Sequence, residues 1–203
     1  MRKLRQITIG TVVSVVAAFG VAPAAQAQED YFLAVQTAGA PGPVVQGETL
    51  DAFFRANRAI ELISFDWSAE NSVTVGSVGG GAGTGKARLN RLTVVKRVDS
   101  ASAALFQRLT TGAHIPSMEL FVRRAGATGA GHLRYRFTFV LVSSVSPSGD
   151  GEEMRERVTF EYGAVAQSYT QQDGTRAGTV FEGGWNQVTN TGCRYGFCDV
   201  PVP

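Results

Sequence analysis

Along most of the chain, apolar positions recur every second residue rather than every third or fourth, the signature of strands with one buried face. The run from Tyr31 to Thr37, YFLAVQT, opens this pattern, and in Ile60 to Ala69 the residues Ile63, Phe65 and Trp67 share one side. RLNRLTVVKRV, Arg88 to Val98, is β-prone. Met118, Leu120 and Val122 alternate with Glu119, Phe121 and Arg123, and Leu133, Tyr135, Phe137, Phe139 and Leu141 alternate with Arg134, Arg136, Thr138 and Val140. Val158, Phe160, Tyr162 and Ala164 then share a face opposite Arg157, Thr159 and Glu161. Gly-rich and Pro-rich stretches such as AGAPGPVVQGE and AGATGAG separate these runs, whereas Leu50 to Ala59 is ambiguous between a helical turn and an ordered loop. The pattern predicts a mainly β domain of two packed antiparallel sheets forming a barrel-like sandwich.

One stretch breaks the rule. In DSASAALFQRLTTG, Asp99 or Ser100 can cap free N–H groups and Gly112 can take the left-handed conformation that ends a helix, which predicts one helix over about residues 100–111. Ala101, Leu105 and Leu109 fall at i, i+4 and i+8, with Phe106 beside them and Gln107 and Arg108 on the other side. Leu105, Phe106 and Leu109 are therefore expected in the core.

The N-terminus does not belong to this pattern. Arg2, Lys3 and Arg5 precede an uncharged apolar run from Ile7 to Val21, and Ala25-Gln26-Ala27 forms a cleavage site before Gln28. This predicts a signal peptide over residues 1–27, a domain over 28–190 and a tail over 191–203, in a bacterial protein that is secreted or periplasmic. The apolar run is short of the roughly 20 residues that span a bilayer, and no later segment approaches that length. Cleavage removes three of the 19 Lys and Arg and no acid, so 16 basic residues face 17 acidic ones and the net charge of +2 becomes −1. The charge gives no reason to expect a nucleic acid or an anionic membrane as partner. Cys193 and Cys198 stand in CRYGFC, and in an exported protein this spacing favours a local disulfide over free thiols. Two thiol ligands with no histidine near them in sequence do not make a structural zinc site.

Candidate chemistry is sparse. Gly80 to Lys86 satisfies G-x-x-x-x-G-K, but Ala87 replaces the magnesium-binding hydroxyl and the residues that follow are β-prone, so a flexible glycine loop is expected. His114 and His132 read as turn and strand-start residues without a ligand pair, and no G-x-S-x-G surrounds a serine. Asp150, Glu152 and Glu153 lack the alternating spacing of a calcium loop. A hydrolase would need dispersed carboxylates that converge in a pocket. Arg88, Arg91, Arg97, Arg123, Arg124, Arg134 and Arg136 lie on or beside strands, and they fit either a solvated face or an interface in which arginine pairs with carboxylates of a neighbouring subunit. No cofactor and no catalytic residue are expected.

The glycine loop ending in Gly85-Lys86, KRVDSASAALFQRLTTGAHIP, MELFVRRAG, VLVSSVS, VTFEYGAVAQSYT, Ala177-Gly178 and Gly183-Gly184-Trp185-Asn186 form an ordered series. Together they resemble the hemolysin-coregulated protein (Hcp) family over Tyr31 to Asn190. The resemblance implies a non-enzymatic tube subunit of type VI secretion, with two packed sheets, a flanking helix, hexameric rings and stacking of rings. It implies self-association, with secreted effector cargo as a further partner. It places Asp66 on the strand lining the ring lumen, where cargo binds, and the loop from Ala38 to Ala59 against the next ring. It matches Arg123 and Arg124 to the family's basic strand end, a candidate subunit interface. The leader and the CRYGFC tail depart from the family pattern and indicate an extracytoplasmic setting. An alternative use of the same fold is a secreted β-sandwich binding module, for carbohydrate or another surface ligand, that displays Trp67, Trp185 and Tyr195.

Overall fold

A computed structural model describes residues 28–74, 83–172 and 177–200. The leader and residues 80–82 of the glycine loop lie outside the described residues. The elements in order are β1 (Glu29–Gln36), β2 (Ile60–Asp66), β3 (Ala69–Thr74), β4 (Gly83–Leu89), β5 (Leu92–Arg97), α1 (Ser102–Thr111), β6 (Ile115–Arg124), β7 (Leu133–Gly149), β8 (Met154–Gln172), β9 (Ala177–Asn186) and β10 (Thr191–Cys193). Six strands, β8-β5-β2-β1-β6-β7, run side by side, and β7 pairs back onto β8, so the sheet closes into an antiparallel barrel. Strands β3 and β4 form a separate hairpin.

Closure depends on β8. One edge pairs with β7 from Met154 to Tyr169. The other edge pairs first with β5, over Arg155 to Phe160, and then with β9, over Ala164 to Gln172. The change of partner falls near Gly163, where an added Cβ would lie 2.6 Å from a Val200 methyl and 3.3 Å from Phe139 Cβ.

The inward phase of the strands fills the barrel, but it departs from the predicted alternation where the backbone is irregular: Leu62 replaces Ile63 beside a bulge, Val140 and Val142 replace Phe139 and Leu141 beyond the positive φ of Phe139, and Val165 replaces Ala164, which faces outward. Leu33, Ile60, Val94, Met118, Leu120, Phe137, Phe160 and Val165 form one cluster with Ala101 and Leu105 of the helix region. Strand β9 was not legible as a strand, because Gly178, Gly183 and Gly184 interrupt any alternation in AGTVFEGGWN. The paired cysteines of the tail close a loop with Cα atoms 5.2 Å apart.

The helix occupies residues 102–111 rather than 100–111. The Asp99 carboxylate accepts the Ala101 N–H at 2.8 Å, and Gly112 ends the helix at φ 68°. Its buried stripe differs from the expected one. Phe106 is 57% exposed, whereas Arg108 has no exposed surface. Ala101, Leu105 and Arg108 stand at i, i+4 and i+7 and share the inner face, while Phe106 is turned about 100° from Leu105. Arg108 tolerates this position because its Nε donates to the Pro43 carbonyl at 2.9 Å and its Nη1 to the His114 carbonyl at 2.6 Å. Burial lowers its pKa without supplying a carboxylate partner.

Lys96 is a second buried cation. It follows Leu92 and Val94 in the inward phase of β5, and its Nζ lies 2.8 Å from Glu156 of β8 and 2.6 Å from Asp99. Ser102 Oγ also donates to Glu156 at 2.7 Å, so the first turn of α1 is tied to both β5 and β8.

Leu105→Ala should lower stability by about 2–5 kcal/mol, whereas Phe106→Ala should stay within about 0.5 kcal/mol of the parent. Denaturant midpoints of the two variants measure both. Equal losses would contradict the helix orientation described here.

Candidate functional site

The outer wall of β1 and β6 carries a second, smaller apolar cluster. Phe32, Ala34 and Phe121 point away from the barrel interior, and Phe54 and Ala59 of the long β1–β2 connection cover them. Phe54 has no exposed surface and stacks on Phe32 with ring centroids 4.2 Å apart. The ambiguous segment after Leu50 is thus an ordered loop containing a 3-10 turn, Arg55–Asn57.

Arg123 fastens this loop to the wall. Its Nη2 lies 2.5 Å from Asp51 Oδ2 and 3.5 Å from Asp30, and its guanidinium sits 4.9 Å from the Phe32 ring centroid. Asp51 also accepts the N–H groups of Phe53 and Phe54. The bond from Arg123, with those backbone donors, holds the Asp51 carboxyl below the usual aspartate range. Arg123 therefore uses its charge within its own chain, while Arg124 beside it is exposed. Fixed in this way, the loop presents Leu50, 90% exposed, and Phe53, 46% exposed. Arg108 and Ser100 anchor the preceding segment through the carbonyls of Pro43 and Gln46.

Most of the other arginines also serve their own barrel. Arg91 pairs with Glu161, Arg97 with Glu153, and Arg136 with Glu119 at 3.0 Å. Arg134 lies over the Tyr195 ring at 4.9 Å. Arg88 and Arg124 form no ion pair among the described residues.

Asp66 ends β2, is exposed, and stands opposite Thr93 of β5. The next residue, Trp67, turns inward and donates to the Tyr162 hydroxyl. That hydroxyl donates to the Asn90 carbonyl at 2.6 Å, and burial pushes its pKa up to about 12. Trp67, Trp185 and Tyr195 are each half-buried, so they do not form an exposed aromatic platform. Trp67 and Trp185 instead border a cavity of about 330 Å³ with Leu89, Val165 and Gln167.

Among the described residues, no group of three His, Cys, Asp or Glu side chains could hold a metal ion. His114 stacks on Phe139, and His132 lies 3.3 Å from Glu29. Asp150 accepts the N–H groups of Glu152 and Glu153, which closes a turn. Strand β4 begins at Gly83, so no helix N-terminus follows the glycine loop to face a phosphate.

With this geometry, a family model described as "Type VI secretion system effector, Hcp" matches residues 32–169. The chain belongs to the Hcp family. Protein hcp1 of Pseudomonas aeruginosa is 34% identical over 106 residues, which cover 50% of this chain and 65% of that protein. The chain thus spans slightly less than two thirds of that Hcp relative. The structure of a type six secretion system protein superposes with a TM-score of 0.72 at 30% identity, covering 82% of this chain and all of the other. Hcp1 from Salmonella typhimurium gives a TM-score of 0.64 at 30% identity, covering 81% and 99%. Among the described residues, no helix of this Hcp chain is long and apolar enough to cross a membrane.

Sequence reasoning missed Lys96, Arg108 and Asp51 as anchoring residues. Lys96 alone left a trace, its place in the inward phase of LTVVKR.

Replacing Arg123 with Met should release the loop and speed tryptic cleavage after Arg55 and Arg58 by at least about tenfold, an opening of roughly 1.4 kcal/mol. The same latch should depend on pH. Because the folded-state pKa of Asp51 is depressed, its contribution is complete above the unfolded value of about 3.9 and is lost as pH falls through the folded value. The Arg123 variant should lose that acid-limb dependence. A cleavage rate unchanged by the substitution would contradict the latch.

Proposed function

We propose that this chain is an exported, ring-forming structural subunit of the Hcp type. The family is one of structural tube proteins of type VI secretion rather than of enzymes, and its members form hexameric rings. The observation that carries the reading is the family match over the whole closed barrel together with the β1–β2 loop, which Arg123 and Arg108 hold in place while Leu50 and Phe53 face solvent. Two exposed apolar side chains on a fixed loop are an economical contact for a neighbouring copy, because little ordering entropy remains to be lost on binding. In this reading the loop stacks one ring on the next, Arg124 lies toward a subunit boundary, and Asp66 faces the lumen and touches effector cargo. The leader over residues 1–27 directs the chain out of the cytoplasm, where an oxidised Cys193–Cys198 pair persists.

Electron microscopy and multi-angle light scattering of the protein beginning at Gln28 test this directly. The expected result is ring-shaped particles with the mass of six copies; monomers at every concentration would overturn the reading. Leu50→Ser with Phe53→Ser should abolish stacked rings while leaving single rings intact. Intact mass before and after reduction should show two alkylatable thiols only after reduction.

A further inference from the structure

The family match ends at residue 169, so the tail after β9 lies beyond it. Strand β8 carries a seat for that tail. Ala164 and Ala166 stand beside Thr138 and Arg136 of β7 on the outer wall, and Cys198 packs on both, with Cys193, Tyr195 and Val200 at the margin. A Cβ added at Gly163 would lie 2.6 Å from a Val200 methyl. The small residues at 163, 164 and 166 thus leave the space that the tail occupies. Thr138 Oγ1 donates to the Cys198 carbonyl at 2.7 Å, and Asn186 Nδ2 to the Asp199 carbonyl at 3.1 Å. Arg134 lies over the Tyr195 ring, and Arg136 reaches Asp199 at 3.9 Å. The disulfide ties this docked segment to β10, which pairs Gly192 with Trp185 and Cys193 with Gly184.

The two sulfurs differ in access. Cys198 is 1% exposed, whereas Cys193 is half-buried. To reduce the bond, a thiolate must reach one sulfur in line and expel the other as a thiolate. Attack on Cys198 is blocked while the tail is docked. Attack on Cys193 expels the Cys198 thiolate against the methyl groups of Ala164 and Ala166, an apolar surface that disfavours its charge. Either route passes through an undocked tail.

We propose that the tail and its disulfide lock one another. The oxidised pair holds the tail on the β7–β8 wall, the docked tail withholds the pair from reductants, and reduction lifts the tail from Ala164, Ala166 and Thr138. A dithiol reductant supplies the two electrons and two protons. Its first sulfur forms a mixed disulfide with Cys193 and frees Cys198, its second displaces Cys193, and two cysteine thiols remain beside an oxidised dithiol. Without the cross-link the undocked tail regains loop entropy, which raises its open fraction about tenfold or more. The linkage is reciprocal, so the factor that oxidation adds to docking is the factor that docking adds to oxidation. It does not depend on the ring; only the compartment in which the strap stays shut rests on the exported setting proposed above.

The test uses the protein beginning at Gln28, reduced with dithiothreitol and then treated with a maleimide. Cys198 should be labelled within about tenfold of the rate for Cys193, because both then belong to an open tail. Slower labelling of Cys198 would show a reduced tail still seated, and would overturn the proposal. A second measurement sets the parent, Thr138→Val and Arg134→Ala against mixtures of reduced and oxidised dithiothreitol. Both substitutions lie on the outer wall and outside the disulfide loop, and circular dichroism confirms the barrel in each. Each should move the thiol–disulfide equilibrium constant about threefold or more toward thiols. A constant unchanged in both variants would make docking and oxidation independent, and would overturn the lock.

Discussion

The fold depends on the two-sided pairing of β8. A strand of 19 residues gives one edge to β7 for most of its length and divides the other between β5 and β9. The first division closes the barrel, and the second carries the sheet past it into β9, β10 and the tail. A closed barrel leaves none of its six strands with an exposed edge, which removes the usual route to uncontrolled pairing. What remains outside the barrel must then be attached to its wall by side chains.

Buried cations make those attachments. Lys96 ties the start of α1 to β5 and β8, Arg108 holds the loop at Pro43 against the helix, and Arg123 fastens the Asp51 segment over Phe32 and Phe121. A buried ion pair contributes little net stability when measured against an apolar replacement, yet loss of one partner leaves an uncompensated charge. Such residues therefore specify position more than they add stability. Their consequence for function is that Leu50 and Phe53 sit on a fixed loop, so an assembly built through them starts from a surface already in place.

The strands of the barrel were legible where one face is buried against a single core, which imposes the alternation seen in Leu133 to Phe137; the change of phase beyond it, at the positive φ of Phe139, was not, because Phe139, Val140 and Leu141 are all apolar. The helix was legible from its stop at Gly112 and from Ala101 and Leu105. Its inner face was misread at two residues, since residue type favours Phe over Arg in a core and only the carbonyls of Pro43 and His114, distant in sequence or beyond the helix end, reverse that preference. Strand β9 escaped notice because backbone pairing with β8, and not side-chain patterning, makes it a strand. Asp51 was unreadable for a similar reason: its partner, Arg123, lies 72 positions away. The family resemblance supplied the ring reading, whereas the family match ends at residue 169, before the disulfide-closed tail.

Hydrogen exchange, resolved by residue, addresses the dependence on β8 most directly. Amides of β8 from Val158 to Ala166, with their partners in β7, should exchange only through global opening and so define the slowest class, while the β1–β2 loop exchanges through smaller, local openings. If β8 exchanged as fast as that loop, or opened independently of β5 and β7, the closed barrel could not be the framework on which the remaining surfaces are arranged.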